Sequence, residues 1–68
     1  KILNLDAGDI VKVMKRRVFY SYGILVRRTY MAYDPAHSTW EVMCSKGDII
    51  NMSGKNLLKL NGFNNETR

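Results

Sequence analysis

The sequence predicts an all-β domain: a small five-stranded barrel with a short 3₁₀ turn before its last strand. Three observations point there. Short apolar runs recur at roughly 8–12-residue spacing, with turn chemistry between them. Those runs are rich in β-branched and aromatic residues, and the longest of them has few good helix formers and no N-cap. The chain has 68 residues, enough for one domain at most, and closing a sheet removes edges that would otherwise aggregate.

The elements follow in order. Lys1 to Asp6 is a lead-in in which Leu3 and Leu5 alternate with Asn4 and Asp6. Ala7-Gly8-Asp9 is a turn signal, because Gly reaches positive φ and Asp bonds its own backbone. Ile10 to Met14 is the first strand. Val11 and Val13 are assigned inward, since burying Lys12 on the other parity is unfavourable. Lys15 to Tyr22 is read as a long, partly extended hairpin loop ending at Gly23. Gly23 to Tyr33 is the second strand, with Ile24 and Val26 inward and a register shift near Arg27-Arg28, because neither parity is purely apolar.

Asp34-Pro35-Ala36-His37-Ser38 is the clearest loop, as Asp-Pro initiates turns. Thr39 to Cys44 is the third strand, with Trp40, Val42 and Cys44 inward and Thr39, Glu41 and Met43 outward. Ser45-Lys46-Gly47-Asp48 is a tight turn into the fourth strand, Ile49 to Met52. Ser53 to Leu57 is a single helical or 3₁₀ turn with Ser53 as candidate cap, and Leu58-Lys59-Leu60 closes the barrel. The division is an N-terminal arm over residues 1–7, a barrel over 8–60 and a polar tail over 61–68. No internal repeat or low-complexity block is present.

Several of these stretches resemble the small SH3-like barrels, which include the KOW and Tudor-type domains and many short phage-encoded proteins. They are Gly8–Val13 (GDIVKV), Gly23-Ile24-Leu25-Val26, Trp40-Glu41-Val42, and Asn56-Leu57-Leu58-Lys59-Leu60. In that family a GD-x-V-x-V strand opens the barrel, a glycine starts the second strand and an x-L-x-x-L element closes it. The resemblance covers roughly residues 8–60, and its motifs are short and degenerate. Lys15–Tyr22 departs from the KOW pattern, lacking its glycine pair. A Tudor-like aromatic cage would draw on Tyr20, Tyr22, Tyr30, Tyr33 and Trp40. The resemblance implies a non-catalytic module that binds nucleic acid or another protein, and in phage versions an accessory protein acting on phage or host machinery.

Composition narrows the function further. Eleven Lys and Arg against six Asp and Glu give a net charge of +5. Lys12, Lys15, Arg16, Arg17, Arg27 and Arg28 all lie between Asp9 and Asp34 with no acid among them, which favours an acidic protein partner or nucleic acid. Phe19, Tyr20 and Tyr22 are candidate stacking faces beside that charge, or core filler. The outward apolar residues Ile10, Met14, Met31, Met43 and Met52 suit an adaptable protein interface or a homo-oligomer.

No catalytic signature stands out, so an enzyme is not expected. Asp9, Asp34 and Asp48 sit at turns, where local backbone bonding is the usual task. Six residues separate Gly47 from Gly54-Lys55 instead of the P-loop's four, and Asn56 replaces the magnesium-binding hydroxyl. His37 and Cys44 have no second partner for zinc, so no metal or cofactor is expected. The Asn51-Met52-Ser53 and Asn65-Glu66-Thr67 sequons are read as chance matches. A lone cysteine, no run near the roughly 20 apolar residues of a membrane span, and no signal peptide in KILNLDAGD point to the cytoplasm, that of the host if phage-encoded.

The expected function is a non-catalytic protein-interaction module, in the phage reading an accessory protein that docks on a host or virion partner, through a basic and aromatic surface of Lys12, Lys15, Arg16, Arg17, Phe19, Tyr20, Tyr22, Arg27 and Arg28. The alternative is a nucleic-acid-binding module that contacts phosphates through Lys15–Arg17 and Arg27-Arg28.

Overall fold

The computed structural model describes residues 5–60. Leu3 and the 61–68 tail of the sequence reading lie outside them. Five antiparallel strands make one sheet: β1 (Ile10–Lys15), β2 (Val18–Tyr30), β3 (Thr39–Cys44), β4 (Ile49–Ser53) and β5 (Leu57–Lys59). Their order across the sheet is β4-β3-β2-β1-β5. One 3₁₀ turn, Pro35–His37, joins β2 to β3, and another, Gly54–Asn56, stands before β5 as expected.

The predicted closure does not form. β4 and β5 follow one another in the chain yet lie at opposite ends of the sheet. The Gly54–Asn56 turn carries the chain from one edge to the other, and its Gly54 N–H donates to the Ser38 carbonyl at 2.8 Å. The two edges share one core without a ladder between them. Leu57 of β5 lies in the same apolar cluster that Ile50 and Met52 of β4 pack against.

That cluster is Leu5, Val11, Val13, Leu25, Trp40, Val42, Cys44 and Leu57. Val11, Val13, Trp40, Val42 and Cys44 are inward, as their alternation predicts. Asp9 is buried too, accepting from the Asp6 N–H at 2.8 Å and facing the Lys59 ammonium at 3.5 Å. Those two contacts hold the arm against β5. Asp34 caps its 3₁₀ turn as expected, accepting from the Ala36 N–H at 3.0 Å. Ser53 stands at the N-cap of its turn but makes no side-chain capping bond, so its hydroxyl does not play the expected part. β5 begins one residue earlier than predicted, at Leu57.

β2 corrects the sequence reading most. No long loop precedes it. Lys15 pairs with Val18, so the connection is a two-residue turn of Arg16 and Arg17, with φ of 52° and 67°. Positive φ at both central residues matches the right-handed twist of the flanking strands. The inward face is also the reverse of the expected one. Leu25 is 1% exposed, while Ile24 and Val26 are 49% and 41% exposed. Ser21 and Gly23 share the parity of Leu25 and are buried with it. A Cβ on Gly23 would stand 2.6 Å from Val42 Cγ1 and 3.0 Å from the Met43 carbonyl oxygen, so glycine lets β2 and β3 approach here. The expected register shift is real: pairing with β3 slips between Leu25 and Arg27 and again between Arg28 and Tyr30. β2 ends at Tyr30, short of the predicted Tyr33.

Candidate interaction surface

One bulge organises the β1–β2 hairpin. Val13 pairs with Ser21 and Met14 with Phe19, which leaves Tyr20 as an extra residue. A bulge turns two consecutive residues to one side. Tyr20 packs against the core and Ser21 is buried, while Phe19 and Tyr22 are both half-exposed on the other side. Their rings meet edge to face, 5.0 Å between centroids at 61°. Lys12, paired with Tyr22, carries its ammonium 5.9 Å from the Phe19 ring.

Beside these rings runs an apolar row. Ile10 pairs with Ile24, Ile24 with Met43, and Met43 with Ile49, one residue from each of β1 to β4. All four are about half exposed. Lys12 pairs with Leu58 of β5, another half-exposed apolar residue. A groove of about 250 Å³ lies along the row, with Ile10, Tyr22, Ile24 and Met43 among its lining residues. Met52 does not join this surface, because it packs toward the core. Ile49 replaces it there.

The charged residues divide into groups. Arg16 and Arg17 stand at the hairpin tip, and neither guanidinium has an ion-pair partner among the described residues. Lys15 belongs elsewhere. Its ammonium lies 4.0 Å from the Tyr20 ring centroid, the Lys46 ammonium lies 4.1 Å from it, and the Tyr20 hydroxyl donates to Asp48 Oδ2 at 2.6 Å. That hydrogen bond raises the Tyr20 phenol above its ordinary pKa and holds the Asp48 carboxyl below the usual carboxylate range. Tyr20 and Lys15 therefore sit in a cluster of their own, apart from the outer rings.

Arg27 and Arg28 are separated from the hairpin and from each other. The Arg27 Nε donates to Glu41 Oε1 at 2.9 Å. The Arg28 guanidinium lies 5.5 Å from the Trp40 ring, beside a cavity of about 30 Å³ lined also by Leu5, Pro35 and Ser38. Thr29 Oγ1 meets Thr39 Oγ1 at 2.7 Å and donates to Asn51 Oδ1 at 2.8 Å. Of the aromatics considered for a cage, Trp40 is buried and the Tyr20 hydroxyl is engaged by Asp48, while Tyr22, Tyr30 and Tyr33 are exposed.

No group of three His, Cys, Asp or Glu side chains placed to hold a metal occurs among the described residues. His37 Nδ1 lies 3.2 Å from Asp34 Oδ2, within its own turn. Burial pushes the Cys44 thiol up, which disfavours the nucleophilic thiolate. No described helix is long and apolar enough to cross a membrane.

Of the residues named from the sequence, the fold thus brings together Lys12, Phe19 and Tyr22, with Arg16 and Arg17 at the end of the same hairpin. Lys15 and Tyr20 form a second cluster, and Arg27 and Arg28 lie elsewhere. Ile24 and Ile49 were missed as surface residues. The small residues Ser21 and Gly23 on the opposite parity were the available signal for Ile24. Comparison of the chain with protein-family models, curated proteins and solved structures finds no match.

Proposed function

We propose that this chain is a non-catalytic protein-interaction module that docks a partner on the outer face of its sheet. The observation that carries this reading is the apolar row across four strands. Half-exposed Ile10, Ile24, Met43 and Ile49 adjoin one another through strand pairing, and the first three line a groove. Contiguous apolar surface on a small domain marks an interaction site more often than scattered single residues do. The methionine suits an adaptable contact. The resemblance of Gly8–Val13 and Asn56–Leu60 to SH3-like modules, including phage accessory proteins, supports the same class.

A photocrosslinking amino acid at position 24 or 43, with position 55 on the Gly54–Asn56 turn as control, tests the reading in cells that express the chain. A defined protein adduct from 24 and 43 and none from 55 is the expected result. Adducts to nucleic acid at 24 and 43, or equal adducts at all three positions, count against it.

A nucleic-acid module is the second reading, favoured by the Phe19–Tyr22 pair beside Lys12 and the two arginines at the tip. Such rings stack on bases while cations meet phosphates, and affinity then falls steeply with salt. Light-scattering chromatography with short DNA and RNA, at low and then moderate salt, measures that dependence.

A further inference from the structure

The hairpin tip holds a backbone conformation that its residues disfavour. Arg16 and Arg17 both lie at positive φ, as the central pair of a two-residue turn. That turn selects Asn-Gly or Asp-Gly, because a bulky Cβ crowds the backbone there. Strain kept at an exposed position points toward a function for the side chains so presented.

The charge layout supplies a second, independent observation. Asp9 faces Lys59, Asp34 its own turn, Glu41 Arg27, and Asp48 Tyr20. None of these carboxylates is directed to Lys12, Arg16 or Arg17. The outer side of the hairpin therefore runs from an apolar groove, past one lysine and two rings, to a doubly cationic end.

We infer that the partner docked on the outer face is an acidic protein segment. An apolar side chain of it fills the groove at Ile10, Ile24 and Met43, and its carboxylates reach Lys12 and then Arg16 and Arg17. This rests on reading the outer face as an interaction surface. A guanidinium fork matches a carboxylate with two parallel hydrogen bonds. The apolar groove favours a protein over a nucleic acid, since its side chains offer few hydrogen-bonding groups for a base edge or phosphate.

Spacing makes the inference specific. Ile10 and Arg16 are six residues apart along the hairpin, or about 20 Å at roughly 3.3 Å per residue. Anchor and carboxylates are then separated by about six residues in an extended segment, or by about 13 in a helix at roughly 1.5 Å per residue.

The experiment is selection of a displayed random 16-residue peptide library on the full chain. Anisotropy measurements of the enriched peptides follow, on the wild type, Ile24→Lys and Arg16→Asn/Arg17→Gly. Circular dichroism confirms that each variant is folded. The expected peptides share one aliphatic or aromatic residue and an acidic cluster at the stated separation. Arg16→Asn/Arg17→Gly weakens them about tenfold, as the loss of two exposed charge pairs implies, and Ile24→Lys abolishes binding. Peptides that need Ile24 but carry no acids and ignore the arginine change overturn the acidic partner and leave the outer-face reading standing. No enrichment, or peptides indifferent to both variants, overturns both. A single-stranded 20-nucleotide DNA that binds through the arginines and is untouched by Ile24→Lys overturns the inference in favour of nucleic acid.

Discussion

Replacing Arg16-Arg17 by Asn-Gly is predicted to stabilise the fold. Both arginines hold positive φ, at 52° and 67°, and an L side chain in that region is disfavoured by about 1 kcal/mol. Relieving two such residues gives about 2 kcal/mol. The new glycine gains freedom in the unfolded chain, which offsets about 0.4–1 kcal/mol of that. A net gain of about 1 kcal/mol follows, equivalent to roughly 4–8 °C in Tm for a domain of this size. The assay is urea unfolding followed by circular dichroism, where the midpoint should rise by about 1 M if the slope is about 1 kcal/mol/M. Two controls separate strain from charge, because the change also removes two cations from a chain of net charge +5. Arg16→Lys/Arg17→Lys keeps charge and strain and should leave the midpoint in place. Arg16→Ser/Arg17→Ser removes charge and keeps strain, and should stay well below Asn-Gly. An unchanged or lower midpoint for Asn-Gly, or an equal rise for the serine pair, would refute the strain argument.

Neighbouring residues on β2 should respond oppositely to truncation: Leu25→Ala loses about 2–5 kcal/mol as a buried leucine does, while half-exposed Ile24→Ala changes urea stability far less. Gly23→Ala is expected to lose about 1–3 kcal/mol by overpacking, since the added methyl meets Val42 Cγ1 at 2.6 Å, and a wild-type midpoint would count against that close approach. The Tyr20–Asp48 bond contributes a stability that depends on pH. Asp48 is more acidic in the fold, so its share is present above the ordinary carboxylate range and lost as pH falls below it; Tyr20 is less acidic, so its share is lost as pH rises past the ordinary phenol range. Tyr20→Phe should therefore flatten both limbs of the curve of urea midpoint against pH, and unchanged limbs would show that the bond does not act this way.

The elements most legible in the sequence were those whose chemistry is local. Asp34-Pro35 and Ser45–Asp48 announce turns within four residues, and β3 declares its inner face because Trp40, Val42 and Cys44 are an unbroken apolar parity while Glu41 lies on the other. β2 carries Ile24, Leu25 and Val26 in succession, so apolar character falls on both parities and alternation cannot choose between them. The choice is made by Gly23 passing close to Val42 and by the bulge at Tyr20, both properties of the paired strands. The candidate surface divides in the same way. Its cations were visible as a run without acids, whereas the neutralisation of Arg27 by Glu41, fourteen positions away, was not.

The sequence alone determined a small, basic, all-β chain, the number and order of its strands, and the turn before β5, because turn chemistry and strand propensity act over a few neighbouring residues. Tertiary structure alone decided which side of β2 faces inward, that the sheet stays open with both edges packed on one core, and which cations at the hairpin tip lack an ion-pair partner among the described residues. Each of those outcomes depends on the strand that lies alongside, and pairing across the sheet joins residues that sequence distance keeps apart.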